Sequence, residues 1–123
     1  AAQLASVVGE NHEAYAQAIS GAIGASANMR NDDVFNAQRS LFATSDAGEF
    51  AVAARTLENI AVATHTELLA TYESIDAIEL TASIITTESR QAVVFTSLAG
   101  LASNLDEMLS NSAAPLELSG GAA

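Results

Sequence analysis

The chain has no cysteine, no tryptophan and a single proline, and none of its four basic residues is lysine. Without cysteine there are no disulfides, no thiol catalysis and no thiolate metal sites. Four arginines face fifteen acids, for a net charge of −11. Phosphate binding needs clustered Lys and Arg, so this balance argues against nucleic acid and against an anionic membrane surface. It favours solubility, a salty or extracellular setting, or a basic protein partner. Aromatics are 5% of residues, too few to line a pocket for a flat hydrophobic ligand. No apolar run approaches about 18 residues, so no transmembrane helix and no membrane insertion are expected. The opening Ala1-Ala2-Gln3-Leu4 shows no basic region followed by an apolar block. For an exported protein this start is expected of a processed form.

What is present is alanine and alternating short apolar positions. The 123 residues suit one domain. Half of them are hydrophobic by count, but much of that half is alanine, the best helix former. The expected fold class is all-α, an antiparallel bundle of three long helices and one or two short ones. Its domain is expected over residues 1–109, followed by an extended tail over 110–123.

Apolar spacing places the elements. The first helix is expected from Ala2 to Ala25, with Leu4, Val8, His12 or Asn11, Tyr15, Ile19 and Ile23 on one stripe. A second stripe, Ser6, Gly9, Glu13, Ala16 and Ser20, is small enough for a neighbouring backbone to come close. Gly21 and Gly24 weaken the helix end. A short helix follows over Asp33 to Ala43, capped by Asn31 or Asp32. Asp46 with Glu49 resembles a capping box ahead of a long helix from Ala47 to Tyr72. Its stripe is Ala51, Ala54, Glu58, Ala61, His65 and Leu68. Ser74 caps a last long helix, Ile75 to Ala102, with Ile78, Ala82, Ile85, Ser89, Ala92, Thr96 and Ala99 inward, widened by Thr81, Glu88 and Phe95. Asn104 to Leu109 adds a short turn. Three long helices with alanine-rich faces leave apolar surface uncovered. The expected remedy is a homo-oligomer, or a protein partner that supplies a further helix.

Two glutamates, Glu58 and Glu88, fall on apolar stripes, and Glu13 falls on the small stripe of the first helix. Buried acids need partners but not metals. The bland reading of Glu58 and Glu88 is pairing with Arg55, Arg90, a hydroxyl or each other; that of Glu13 is a solvated helix position. His65 lies one heptad after Glu58, about 10.5 Å along an undistorted helix, too far for both to hold one ion. It is expected to be packed and hydrogen-bonded. His12 is one residue from Glu13 and so points about 100° away from it, as a surface or interface histidine. Glu73, Asp76 and Glu79 lie at a helix start, outside any EF-hand loop, and read as a solvated face. No phosphate loop, nucleophile elbow or Ser/His/Asp arrangement is visible.

Three stretches resemble the ferritin-like domains common in exported bacterial and archaeal proteins. They are Asn11-His12-Glu13-Ala14-Tyr15-Ala16, Ala54-Arg55-Thr56-Leu57-Glu58-Asn59, and Ala82-Ser83-Ile84-Ile85-Thr86-Thr87-Glu88-Ser89-Arg90-Gln91-Ala92. The resemblance covers residues 9–109. It implies a four-helix bundle in which two helices each give one metal-ligand glutamate and two give Glu-x-x-His. By position Glu13, Glu58 and Glu88 match ligand glutamates, Ala16 and Gln91 fall where histidines stand, and the first bundle helix has no counterpart. Those glutamates are therefore expected to be vestigial, with no metal, no cofactor and no catalytic residue. The expected function is a non-enzymatic structural or binding subunit packed against a partner or another copy. The alternative is an iron or manganese protein, binding or oxidase, with its site completed by another chain. A small-molecule carrier is a third class. The resemblance also implies an extracytoplasmic or cell-envelope location.

Overall fold

In the computed structural model, residues 2–23 and 31–117 are described. They form α1 (Ala2–Ile23), α2 (Asp32–Gln38), a 3-10 turn (Arg39–Phe42), α3 (Ala47–Leu69), α4 (Ile75–Leu98) and α5 (Leu105–Leu109). No strand occurs among the described residues, and the chain is an all-α bundle. The expected extension of the first helix to Ala25, Gly24, and the Gly120–Ala123 end lie outside the described residues.

The starts follow from side-chain oxygens that accept the first free N–H groups. Asn31 accepts from Val34 N at 3.1 Å, Asp46 from Glu49 N at 2.8 Å, Ser74 from Ala77 N at 3.4 Å and Asn104 from Glu107 N at 3.3 Å. The Asp46 cap is not a reciprocal box, because the Glu49 carboxylate instead accepts from Thr44 Oγ1. α4 ends at Gly100, whose φ of +82° is one that L side chains resist. There Leu101 N reaches back to Thr96 O at 3.1 Å, closing the last turn six residues to one. This stops the helix before the expected Ala102. The short helix also splits, tightening after Gln38 into the 3-10 turn that ends at Phe42.

α3 and α4 form an antiparallel hairpin; α1 packs on α4, α2 leads into the 3-10 turn against α3, and α5 folds back on α4. Ala51, Ala54 and Phe95 form the central apolar cluster, with Leu4, Val8, Phe42, Phe50 and Ala99 packed around it. The alanines let the helices approach, and aromatics fill the end where α3 begins and α4 finishes. Phe42, Phe50 and Phe95 stack edge to face with centroids 5.5 and 6.4 Å apart.

The inward face of α4 is rotated from the expected stripe. Thr81, Ile84, Glu88, Gln91, Ala92, Phe95 and Thr96 are buried, while Ile78, Ala82 and Ser89 are exposed. Two of the buried threonine hydroxyls in the bundle are each served twice. Thr96 Oγ1 donates to Ala92 O at 2.7 Å and accepts from Arg55 Nε at 2.9 Å. Thr64 Oγ1 donates to Ile60 O at 2.7 Å and accepts from Leu116 N at 2.9 Å.

Residues 110–117 are irregular and lie along α3. Asn111 Nδ2 donates to Asn59 O at 2.9 Å, and the Leu116 contact to Thr64 comes five residues later on both elements. Five helical residues rise about 7.5 Å, whereas five extended residues span about 16 Å. This stretch is thus shorter than the expected extended chain. Its slack is taken up in a turn in which Asn111 Oδ1 accepts from Ala113 N at 3.0 Å.

Candidate functional site

α3 and α4 each bring one carboxylate into the middle of the bundle. Glu58 lies one turn beyond Ala54 on the buried face of α3, and Glu88 one turn beyond Ile84 on that of α4. Glu58 is 4% exposed and Glu88 1%. Among the described residues neither pairs with an arginine. Arg55, offered by the sequence as a partner, binds Thr96 and the Glu107 carboxylate instead, and Arg90 is exposed.

The partners are the two histidines. His12 Nε2 donates to Glu58 Oε1 at 3.0 Å, and His65 Nδ1 donates to Glu88 Oε2 at 2.8 Å. The family resemblance matches Glu13 to a ligand glutamate, with a solvated position as its bland alternative, and leaves His12 as a surface or interface histidine. The structure takes the solvated alternative for Glu13, which is exposed, and corrects His12, which faces the carboxylates. The reason is 100° of helix rotation per residue. His12 shares its face with Leu4, Val8 and Tyr15, and those residues pack inward. His12 and Glu88 meet as well: one ligand atom each from His12, Glu58 and Glu88 lies within 4.8 Å of the others. His65 does not approach Glu58 as a co-ligand but crosses to α4.

The i and i+3 positions complete the box. On α4 these are Glu88 and Gln91, and on α1 His12 and Tyr15, whose rings meet edge to face at 5.5 Å. Tyr15, not Ala16, therefore occupies the second position on α1. Glu58 Oε2, the Tyr15 hydroxyl and both amide atoms of Gln91 are buried without a protein partner among the described residues. The Glu58 hydrogen bond raises the pKa of His12 above the ordinary imidazole value; burial opposes the rise, and the charges of Glu58 and Glu88 add to it.

The sequence profile of the ferritin-like domain family matches residues 1–101. The chain belongs to this family. No curated protein and no solved structure matches it.

Ferritin-like di-metal centres draw four glutamates and two histidines from four helices. This ferritin-like domain presents two glutamates in its box, with His12-x-x-Tyr15 and Glu88-x-x-Gln91 in the two paired positions. A tyrosine and a glutamine stand where imidazoles would bind. Two carboxylates also carry too little negative charge for two divalent or trivalent ions in a buried site. The residues present do not fit a dinuclear centre. They offer at most one nitrogen and two carboxylates to a single ion.

Proposed function

We propose that this ferritin-like domain is a non-enzymatic structural or binding subunit that operates without a di-metal centre, outside the cytoplasm, and packs against a partner or another copy. The observation that carries the reading is that each buried carboxylate already holds a histidine. A histidine on each glutamate fills a place that metal ions fill elsewhere in the family, and the hydrogen bonds satisfy one oxygen of each acid. The box then serves to lock α1, α3 and α4 together. Partner binding is supported by the α4–α5 end, where Val93, Val94, Leu98, Leu105 and Leu109 are 38%, 43%, 51%, 69% and 80% exposed. Val94 and Leu98, like Leu105 and Leu109, are four apart and share a helix face. Light scattering on the purified chain, with Val94→Glu/Leu98→Glu beside it, tests the assembly. A complex that dissociates in the double variant is the expected result, and a wild-type monomer at all concentrations sinks it.

A second reading has its own support. The buried, unpartnered Glu58 Oε2 and the convergence of His12, Glu58 and Glu88 suit one divalent ion. Two ligands at about 2.1 Å and a right angle lie roughly 3.0 Å apart, and His12 Nε2 and Glu58 Oε1 are 3.0 Å apart. The ion would have to displace the His12 proton, which Glu58 holds firmly. Elemental analysis of native material separates the readings. Stoichiometric manganese, iron or zinc that disappears in Glu58→Gln establishes the second, and trace metal that Glu58→Gln leaves unchanged establishes the first.

A further inference from the structure

Away from the histidine–carboxylate box, a cavity of about 730 Å³ opens between α2, the 3-10 turn, α3 and the irregular tail. Its walls are hydrocarbon: Val34 from α2, Phe42 from the turn, Leu57 from α3 and Leu116 from the tail. Volumes of about 300–1,000 Å³ with apolar walls and few polar groups are those of small-molecule sites. The polar groups here are Asn31, whose Oδ1 already accepts from Val34 N at 3.1 Å, and two neighbours at the end of α2, Gln38 and Arg39.

Each of the two lacks something. Gln38 Oε1 is buried and accepts no hydrogen bond from the described residues. An unmet acceptor beside hydrocarbon is costly, and a turn of this amide onto an O–H or N–H of a molecule in the cavity relieves it. Arg39 is exposed at the rim and makes no ion pair among the described residues. Its guanidinium is a donor fork that matches carboxylate or phosphate. In a chain of net charge −11 a small free anion is repelled by the whole molecule. An anion retained here must therefore also bring apolar surface. Apolar surface alone leaves Gln38 and Arg39 unused.

We propose that this cavity binds a single-chain amphiphile with an anionic head and an adjacent hydroxyl. The acyl chain lies between Phe42, Leu57 and Leu116, the anion meets Arg39, and the Gln38 amide turns toward the cavity so that its Oε1 accepts from the hydroxyl. A lysophosphatidate has this arrangement. Leu116 forms one wall only because its N–H is held by Thr64 Oγ1 at 2.9 Å, so the tail helps to build the site.

The test uses the full chain and three probes below their critical micelle concentrations: oleoyl lysophosphatidate, oleate, which lacks the hydroxyl, and monoolein, which lacks the anion. Calorimetry and native mass spectrometry are expected to show one lysophosphatidate per chain, bound about tenfold more tightly than either comparison probe, as one good polar contact is worth. Arg39→Gln removes the preference over monoolein, and Gln38→Leu removes the preference over oleate. Leu57→Trp, which fills the cavity, abolishes binding of all three while the helical circular dichroism stays unchanged. If Leu57→Trp does not fold, Val34→Trp fills the same space from α2. Equal affinities for the three probes, or undiminished binding in the filled variant, overturn the proposal. So does a filled variant that breaks a dimer while no probe binds the wild type.

Discussion

Removing His65 alone tests whether the histidines, and not a metal, hold the carboxylates in the core. Glu88 is 1% exposed, and His65 Nδ1 at 2.8 Å is its hydrogen-bond partner. His65→Leu strands a buried charge, which costs about 3–5 kcal/mol, a large share of the roughly 5–15 kcal/mol that holds a domain together. The midpoint temperature falls by about 10–20 °C at this chain length. Glu88→Met costs less, about 1–2 kcal/mol, because the His65 side chain is 26% exposed and turns its ring to water. The double variant His65→Leu/Glu88→Met replaces the pair with apolar groups of similar volume and is neutral, or up to about 4 kcal/mol more stable than wild type. The cycle thus predicts a coupling at or above about 4 kcal/mol. Urea unfolding with chelator present, followed by far-UV circular dichroism because the chain has no tryptophan, reads it directly. Additive single effects, with coupling below about 0.5 kcal/mol, refute the reasoning. So does a double variant as unstable as His65→Leu.

Three further outcomes are expected. The folded-state pKa of His12 is raised by Glu58, so its stabilising contribution is complete below the unfolded value of about 6.5 and is lost as pH rises through the folded value. The urea midpoint therefore drops on the alkaline side of about pH 6.5, and His12→Asn flattens that drop. The drop is modest, since the His12 side chain is 41% exposed. Phe95→Ala, at a position 3% exposed among Ala51, Ala54 and Phe50, costs about 3–5 kcal/mol in the same assay. Arg55→Met costs only about 1 kcal/mol, because its Glu107 partner is 42% exposed, but it speeds amide exchange in α5 selectively, as hydrogen–deuterium mass spectrometry will show.

Much of the fold was legible because its signals are periodic and local. Alanine content and spacing announced the helices, and Asn31, Asp46, Ser74 and Asn104 are short polar residues that cap the element each precedes. Glu58 and Glu88 were legible as acids on apolar stripes. His12 was missed by one residue, and the signal was present: it already stood on the stripe of Leu4, Val8 and Tyr15. Likeness to Glu-x-x-His drew attention to Glu13 instead, although apolar neighbours set the rotation of a helix more firmly than motif register does. The faces of α4 were blurred for a related reason. Threonine and alanine fill inward and outward positions alike, so the stripe carried little contrast. The pairing of His65 with Glu88 depends on the axial offset of two helices, and the cavity depends on an aperiodic tail; neither leaves a period to read.

That tail has a mechanical consequence. Arg55 with Glu107, Asn59 with Asn111, and Thr64 with Leu116 are all 52 residues apart, so the three contacts succeed one another in a single direction along α3. A load applied beyond residue 117 and directed away from α3 meets them one at a time, Leu116 first and Glu107 last. Such a seam peels at low force, while the α3–α4 hairpin, whose core contacts lie beneath it, stays shut. The first latch to give is also the one that holds a wall of the cavity. Tension on this end of the molecule would open that pocket well before it unfolded the bundle.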